Sequence, residues 1–186
     1  MRIISGQFKG RKILEPKDKN TRPLKDLTKE SIFNIINHSN KFKINVSNAI
    51  VLDLFSGVGS FGLECLSRGV NEVIFVENYL GVLPILKKNL ANLKTINNYS
   101  IIEEDIFNEN FLSNLKKKFD IIFLDPPYKI KNISELLNKI RIFKLLNKNG
   151  IIILHRHKDE EDNLPTNFKI LEKKKYGISK IMFISH

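Results

Sequence analysis

The sequence predicts an α/β fold, with a mostly parallel central sheet, helices on both faces and an antiparallel hairpin at its C-terminal end. Three observations predict it. From Ala49 onward, short apolar runs alternate with longer stretches of helical periodicity, the pattern of repeated βα units. AIVLDLF (49–55), EVIFVE (72–77) and FDIIFLD (119–125) are apolar nearly throughout, as strands buried on both faces are. FKILEKKKY and SKIMFIS, near the end, are separated by Gly177 as two hairpin strands would be.

Taken in order, residues 1–14 predict two short strands around a turn from Gly6 to Gly10, with Arg2, Lys9, Arg11 and Lys12 adding four cations. Residues 15–23, ending Thr21-Arg22-Pro23, read as a loop. A helix is expected from Leu24 to His38, with Leu27, Ser31, Ile32, Ile35 and Ile36 on its apolar face, Phe33 at the edge, and Lys25 and Lys29 on the polar side. This opening segment is expected to sit apart from the βα repeat, joined to it by a polar connection, 39–48. Helices follow at 60–68, stopped by Gly69, and at 80–93, where Pro84 fits only the first turn. The remaining expectations are a strand at 99–105, helices at 108–117 and 132–146, and a strand at 150–155.

A chain of 186 residues without an internal repeat or linker reads as one domain, 1–186. Within it, 1–40 form a basic hairpin-and-helix extension and 49–186 the core. No apolar run approaches the ~18 residues of a membrane span. The first residues lack the apolar core and cleavage site of a secretory signal. The single Cys65 in apolar surroundings suits a reducing, cytoplasmic setting. The net charge of +11 favours a polyanionic partner, although the Lys-, Asn- and Ile-rich composition has the bias of an AT-rich genome and accounts for part of it.

The stretch FDIIFLDPPY places Asp125 where a buried strand ends, and ligands of open α/β sheets bind at the carboxyl ends of strands. Pro126 and Pro127 stiffen the backbone there and aim its carbonyls. Tyr128 supplies a flat π-face. An anionic acceptor, fixed carbonyls and a stacking ring together make a socket for a planar group bearing an NH2, such as a nucleobase edge.

After the first strand, Gly57-x-Gly59-x-x-Gly62 matches a dinucleotide fingerprint in its strand-to-helix setting. Glu77 ends the second strand, where an acidic side chain would bridge ribose hydroxyls. Both a nicotinamide dinucleotide and S-adenosylmethionine fit so far. Asp53 separates them: a carboxylate beside the loop repels a pyrophosphate and suits an ammonium and a sulfonium. Asp105, with Glu103 and Glu104 as rivals, could accept from the adenine amino group. Phe55 and Ile106 complete the cofactor-binding set of Asp53, Gly57, Gly59, Glu77 and Asp105.

LDLFSGVGSFGLE, FVE and LDPPY, in that order, resemble the Rossmann-like class I S-adenosylmethionine-dependent methyltransferases that modify exocyclic amino groups. RIISGQFKGRKI, TRPLKDLTKESIFN, LSRGV and YGISKIMF extend the resemblance across the chain to the bacterial 16S ribosomal RNA guanine-N2 methyltransferases, the RsmD family. The sequence departs from that family's pattern at Leu24 and Lys29, and at His155-Arg156-His157, where an acidic residue is usual. The resemblance implies methyl transfer to N2 of a 16S guanine, guanine 966 in the family, within a 30S subunit or assembly intermediate, by a monomer. Asp125 and the Pro126 carbonyl would then accept the two amine N–H bonds and Tyr128 would stack on the flipped base. Arg2, Lys9, Arg11, Lys12 and Arg22, together with Lys173–Lys175, would bind phosphates, which positions RNA without reading its sequence.

No metal is implied. His155 and His157 read as surface or strand-end histidines, and His38 and His186 have no ligand spacing. An adenine-N6 DNA methyltransferase would use the same socket but needs a target-recognition region for which the chain has no length. A protein-glutamine methyltransferase fits the basic N-terminus poorly, and a nicotinamide-dependent oxidoreductase fits Asp53 poorly.

Overall fold

Each apolar run becomes a strand, and the alternation of side chains along it decides what each face of the sheet buries. The computed structural model describes residues 1–16, 24–127 and 129–186. Its strands are β1 (Ile50–Leu54), β2 (Glu72–Val76), β3 (Tyr99–Ile102), β4 (Phe119–Leu124), β5 (Leu146–His157), β6 (Lys169–Tyr176) and β7 (Ser179–Ser185). They form one seven-stranded sheet in the order β3-β2-β1-β4-β5-β7-β6. β1 to β5 run parallel, β7 is antiparallel to β5, and β6 is antiparallel to β7. The helices are α1 (Asp26–His38), α2 (Ser60–Ser67), α3 (Leu83–Ala91), α4 (Phe111–Asn114) and α5 (Ile133–Ile142).

One face of the sheet presents Val51, Phe75, Ile121, Phe123, Ile153 and Phe183 to α1, α2, α3 and the N-terminal arm. The other presents Leu52, Val76, Ile122, Leu124, Leu154 and Met182 to α4 and α5. This is the Rossmann-like class I architecture. From β1 the chain adds β2 and β3 on one side and then crosses to add β4 on the other, so the strand order reverses between β1 and β4. Such a switch point opens a crevice beyond the strand ends.

The opening segment does not sit apart. Ile3, Phe8, Ile13, Leu24, Ile32, Phe33 and Ile36 join the same buried cluster as β1 and α2. Phe123 of β4 stacks on Phe61 of α2 at 4.0 Å between centroids, Phe61 on Phe33 of α1 at 5.5 Å, and Arg68 lies over the Phe33 ring at 4.0 Å. Each such aromatic pair adds about 0.5–1.5 kcal/mol beyond its buried area. The buried Glu64 carboxylate accepts from Ile4 N–H at 2.8 Å, Ser5 N–H at 3.0 Å and Arg68 Nε at 2.9 Å, which fixes the arm to α2. Gly6 has φ +81°, and a Cβ there would overlap the Ser67 carbonyl, so only glycine allows this approach.

The structure corrects several expectations. Residues 1–14 form a hairpin-like turn held by Ile3 N–H to Arg11 O (2.9 Å) and Ile13 N–H to Met1 O (3.0 Å), but Arg2 and Lys12 make only an isolated bridge. Leu27 is 78% exposed, whereas Lys29 is fully buried. The Lys29 ammonium finds the Arg2 carbonyl and, at 3.3 Å, Asp26, so burial lowers its pKa against the pull of that aspartate. The helix after β3 shrinks to one turn, α4. β5 begins at Leu146, four residues before Gly150, because Leu146 pairs with Phe119. Phe42, within the polar connection, stacks on Phe183 at 5.5 Å.

Gly62 is the position in α2 where close packing is most demanding. A Cβ there would overlap the ring edge of the buried Phe75 and lie 3.0 Å from Asp53 Oδ2. Alanine gains about 1 kcal/mol of helix propensity over glycine. Overpacking costs about 1–3 kcal/mol. Gly62→Ala is therefore expected to lower thermal stability; a raised melting temperature would show that Phe75 yields freely.

Candidate active site

The carboxyl ends of the parallel strands carry the acidic side chains that the sequence singled out, set side by side by the strand order: Asp105 after β3, Glu77 after β2, Asp53 in β1 and Asp125 after β4. β1 turns sharply as it leaves the sheet. Phe55 adopts φ +61°, a left-handed conformation unusual for an aromatic residue, and Gly57 and Gly59 follow at +57° and +83°. Ser56, which the sequence reading missed, closes the turn. Its hydroxyl bonds Asp53 O at 2.6 Å and accepts from Val76 N–H at 2.9 Å.

Asp53 is buried, with Oδ2 accepting from Gly62 N–H at 3.0 Å. Burial raises its pKa well above the ordinary carboxylate value. The Gly62 N–H opposes this, and the negative charges of Asp125 and Glu77 reinforce it. Glu77 is also buried: Oε2 accepts from Gly57 N–H at 2.7 Å, and Oε1 from Asn78 N–H at 2.9 Å and Tyr79 N–H at 2.8 Å. Three backbone donors thus already occupy the side chain expected to bridge two ribose hydroxyls. Asp105 is exposed, and its Oδ1 accepts from Phe107 N–H at 2.9 Å. Ile106 is buried, and the rings of Phe55 and Phe107 flank this end at 6.1 Å between centroids. Asn89, also missed, accepts from Leu14 N–H at 2.8 Å and donates to Val58 O at 3.0 Å, tying the glycine loop to the N-terminal arm.

On the other side of the switch point, Asp125 is half-buried and its Oδ1 lies 2.7 Å from His155 Nδ1. Pro126 is buried and Pro127 exposed. The Pro127 carbonyl accepts from Ile130 N–H at 2.9 Å, while the Pro126 carbonyl takes no donor among the described residues. Tyr128 lies outside the described residues. Arg156, buried on the α5 face, holds this loop from beneath: Nη2 donates to Ile130 O at 2.9 Å and Nε to Asp162 at 2.9 Å. Lys180, aligned with Arg156 on β7, reaches Asp162 at 3.3 Å. His155 and His157 lie at the end of β5, as one of the two expectations had it, but His155 and Arg156 are buried and not on the surface. The chain places one on each face of β5 because side chains alternate along a strand.

The basic residues are less uniform than expected. Lys9 and Lys12 are exposed. Arg2 is exposed beside Asp26 at 3.8 Å, and Arg11 bonds the Asn92 carbonyl and lies 4.8 Å over the Phe8 ring. Arg22 lies outside the described residues. Lys173, Lys174 and Lys175 are exposed on the edge strand β6, with Lys174 at 3.5 Å from Glu172. An open groove of about 830 Å³ between α1 and β6, lined by Leu27, Ser31, His38, Lys41 and Tyr176, shares no residue with the strand-end cluster. Among the described residues no group of three or more His, Cys, Asp or Glu could hold a metal ion.

The donor set suits S-adenosylmethionine. A buried carboxylate whose neighbours are also anionic is relieved by a nearby cation, and Asp53 with Glu77 and Asp125 is such a set. Asp105 keeps Oδ2 for an amino donor, and Phe55 offers an aromatic face. The group fits, with Glu77 contributing at most one further acceptor beside its three backbone bonds.

The family described as Conserved hypothetical protein 95 matches residues 1–185. YlbH of Bacillus subtilis is 34% identical over 97% of this chain and 96% of its own length. Ribosomal RNA small subunit methyltransferase D of Haemophilus influenzae is 32% identical over 96% of this chain and 90% of its own. The solved structure of yhhF from Escherichia coli superposes with a TM-score of 0.82 at 27% identity, covering 99% of this chain and 96% of that one.

Proposed function

We propose, for a chain that belongs to the RsmD family of ribosomal RNA methyltransferases, that its substrate amine is the exocyclic N2 of a guanine in 16S RNA, guanine 966 in the family's numbering of that RNA. The observation that carries the reading is the Asp125 carboxylate at the β4 end, across the switch point from Asp53 and the glycine loop. Asp53 and the Gly57–Gly59 backbone would hold the methionine end of S-adenosylmethionine, Phe55, Asp105 and Ile106 its adenine, and Glu77 its ribose. Bound there, S-adenosylmethionine would supply an electrophilic methyl group on a sulfonium, with the thioether as leaving group.

The guanine amino nitrogen is a poor nucleophile because its lone pair is delocalised into the ring. Asp125 and the Pro126 carbonyl accept its two N–H bonds and turn the lone pair out of conjugation, so catalysis is mainly positioning. The nitrogen then carries one proton too many, and Asp125 accepts it directly or through water. Tyr128 stacks on the target base, which adds about 1–3 kcal/mol. Lys9, Lys12 and Arg22, with Arg2, Arg11 and the Lys173–Lys175 run, meet phosphates. The chain acts as a cytoplasmic monomer on a 30S subunit or an assembly intermediate; no helix among its described residues is long and apolar enough to cross a membrane.

The test is transfer of labelled methyl from S-adenosylmethionine to small-subunit particles lacking the modification, with the label mapped to its atom. Label on N2 of a single 16S guanine is expected. Label on adenine N6 or on protein would overturn the substrate and keep the socket chemistry.

A further inference from the structure

We propose that His155 is a positioning residue for Asp125, that its Nδ1–H fixes one carboxylate oxygen so that the other faces the target amine, and that the neutral imidazole is the competent form. The inference rests on the methyl-transfer reading above for its consequence and on geometry for its premise. β4 and β5 pair in register through Leu124 and Leu154, so the next residues, Asp125 and His155, end side by side on the same face of the sheet. The 2.7 Å contact joins Nδ1 to Oδ1, and the Asp125 side chain is still 22% exposed, so the proposal assigns the other oxygen, Oδ2, to the amine. The imidazole is buried, and its Nε2 has no partner among the described residues. Among the described residues the ring's one anchor is the carboxylate, and the carboxylate's orientation depends in turn on the ring.

The surrounding charges are mostly paired with one another, although Asp53 feels Asp125 and the ring feels Arg156. Asp53 of β1 shares this face and bonds Gly62 N–H. Lys29 of α1 is held by Asp26 and the Arg2 carbonyl, and Glu64 and Arg68 of α2 hold each other. Arg156 and Lys180 lie on the opposite face with Asp162 and Glu160. On His155 itself burial is the largest influence and lowers its pKa. The charge of Asp125 and its hydrogen bond together outweigh that burial and the repulsion of Arg156, so the net direction is upward. His155 is the group that changes charge in this range. Below its midpoint an imidazolium withdraws charge from Asp125, which makes the carboxylate a weaker acceptor for the amine N–H and for the released proton. Above it the neutral ring still donates from Nδ1 and the carboxylate keeps its full charge. Methyl transfer should therefore rise with pH through a midpoint above that of an ordinary histidine.

The experiment measures kcat and KM across pH for the full chain and two variants. His155→Leu removes the donor and is expected to lower kcat about 10- to 100-fold, the usual cost of losing an orienting partner, with KM for S-adenosylmethionine unchanged. His155→Asn restores an N–H near the Nδ1 position without a titrating group, so it should recover part of that loss and show no pH limb. A limb surviving in kcat of His155→Asn at saturating S-adenosylmethionine, or wild-type kcat in His155→Leu, overturns the proposal; a limb in KM alone belongs to Asp53. Imidazole ¹⁵N titration of the cofactor-free protein tests the pair without activity: Asp125→Asn must lower the His155 midpoint, and an unmoved midpoint overturns the pairing. A wild-type chain that methylates no small-subunit particle would instead sink the functional reading, with the ¹⁵N titration still deciding the pair.

Discussion

Asp125→Ala lowers kcat for methyl transfer by about 10²–10⁴-fold, the range lost with a positioned proton acceptor, while affinity for S-adenosylhomocysteine changes little. Asp125 lies across the switch point from the glycine loop and is anchored by His155 at 2.7 Å, so alanine removes the only carboxylate at the β4 end among the described residues and leaves the proposed cofactor contacts of Asp53, Glu77 and Asp105 in place. Asp125→Asn separates the two roles of the carboxylate. An amide oxygen can still accept one amine N–H, but an amide cannot take the released proton, and its NH2 opposes the Nδ1–H of His155. An intermediate kcat for asparagine indicates that positioning dominates; equal losses indicate that the charge is required throughout. Transfer within tenfold of wild type in Asp125→Ala would remove Asp125 from the mechanism.

Those residues were legible because their positions follow from short-range rules. A bounded apolar run predicts a buried parallel strand, and the residue that ends it points into the crevice whatever the distant packing. Glu77 and Asp125 follow such runs in β2 and β4, while Asp53 is read from its place inside β1 before the glycine loop and the C-terminal hairpin from Gly177 between two strand patterns. What escaped depends on partners far apart in sequence. Lys29 reads as a polar-face lysine until the Arg2 carbonyl is folded against it. Leu27 continues the apolar spacing of α1 but meets no core. Asn89 looks like any helical asparagine, yet it binds a loop 31 residues away and an arm 75 residues away. LNKN (146–149) has no strand pattern, and Leu146 joins β5 because Phe119 pairs with it. His155 was readable only through register: β4 and β5 must be aligned before a histidine 30 residues from Asp125 becomes its neighbour. One signal was available, namely that the sequence departs from the family pattern at 155–157.

Asp53→Asn should stabilise the cofactor-free protein and cripple cofactor binding. The sign follows from the raised pKa of Asp53, whose first cause is burial, followed by Asp125 and Glu77 against the single Gly62 N–H. A carboxyl whose folded pKa lies above its unfolded value contributes stability that is complete below the unfolded pKa and is lost as pH rises through the folded one. Wild type therefore loses stability across that interval, and the asparagine variant, which has no proton to lose, does not. The gap between their melting temperatures should widen as pH rises. Binding reverses the preference. A cofactor ammonium favours the ionised Asp53, so uptake of S-adenosylmethionine should release a proton, seen as a dependence of the calorimetric heat on the buffer's ionisation enthalpy. Losing a hydrogen bond to a charged group costs about 1.5–3 kcal/mol, or roughly 10- to 100-fold in affinity, so Asp53→Asn should bind that much more weakly and without proton release. If the variant is the less stable protein at alkaline pH, the charge is held there by something other than a ligand. If it is the more stable protein and still binds with wild-type affinity, Asp53 serves the turn at Gly62 and the cation is held elsewhere.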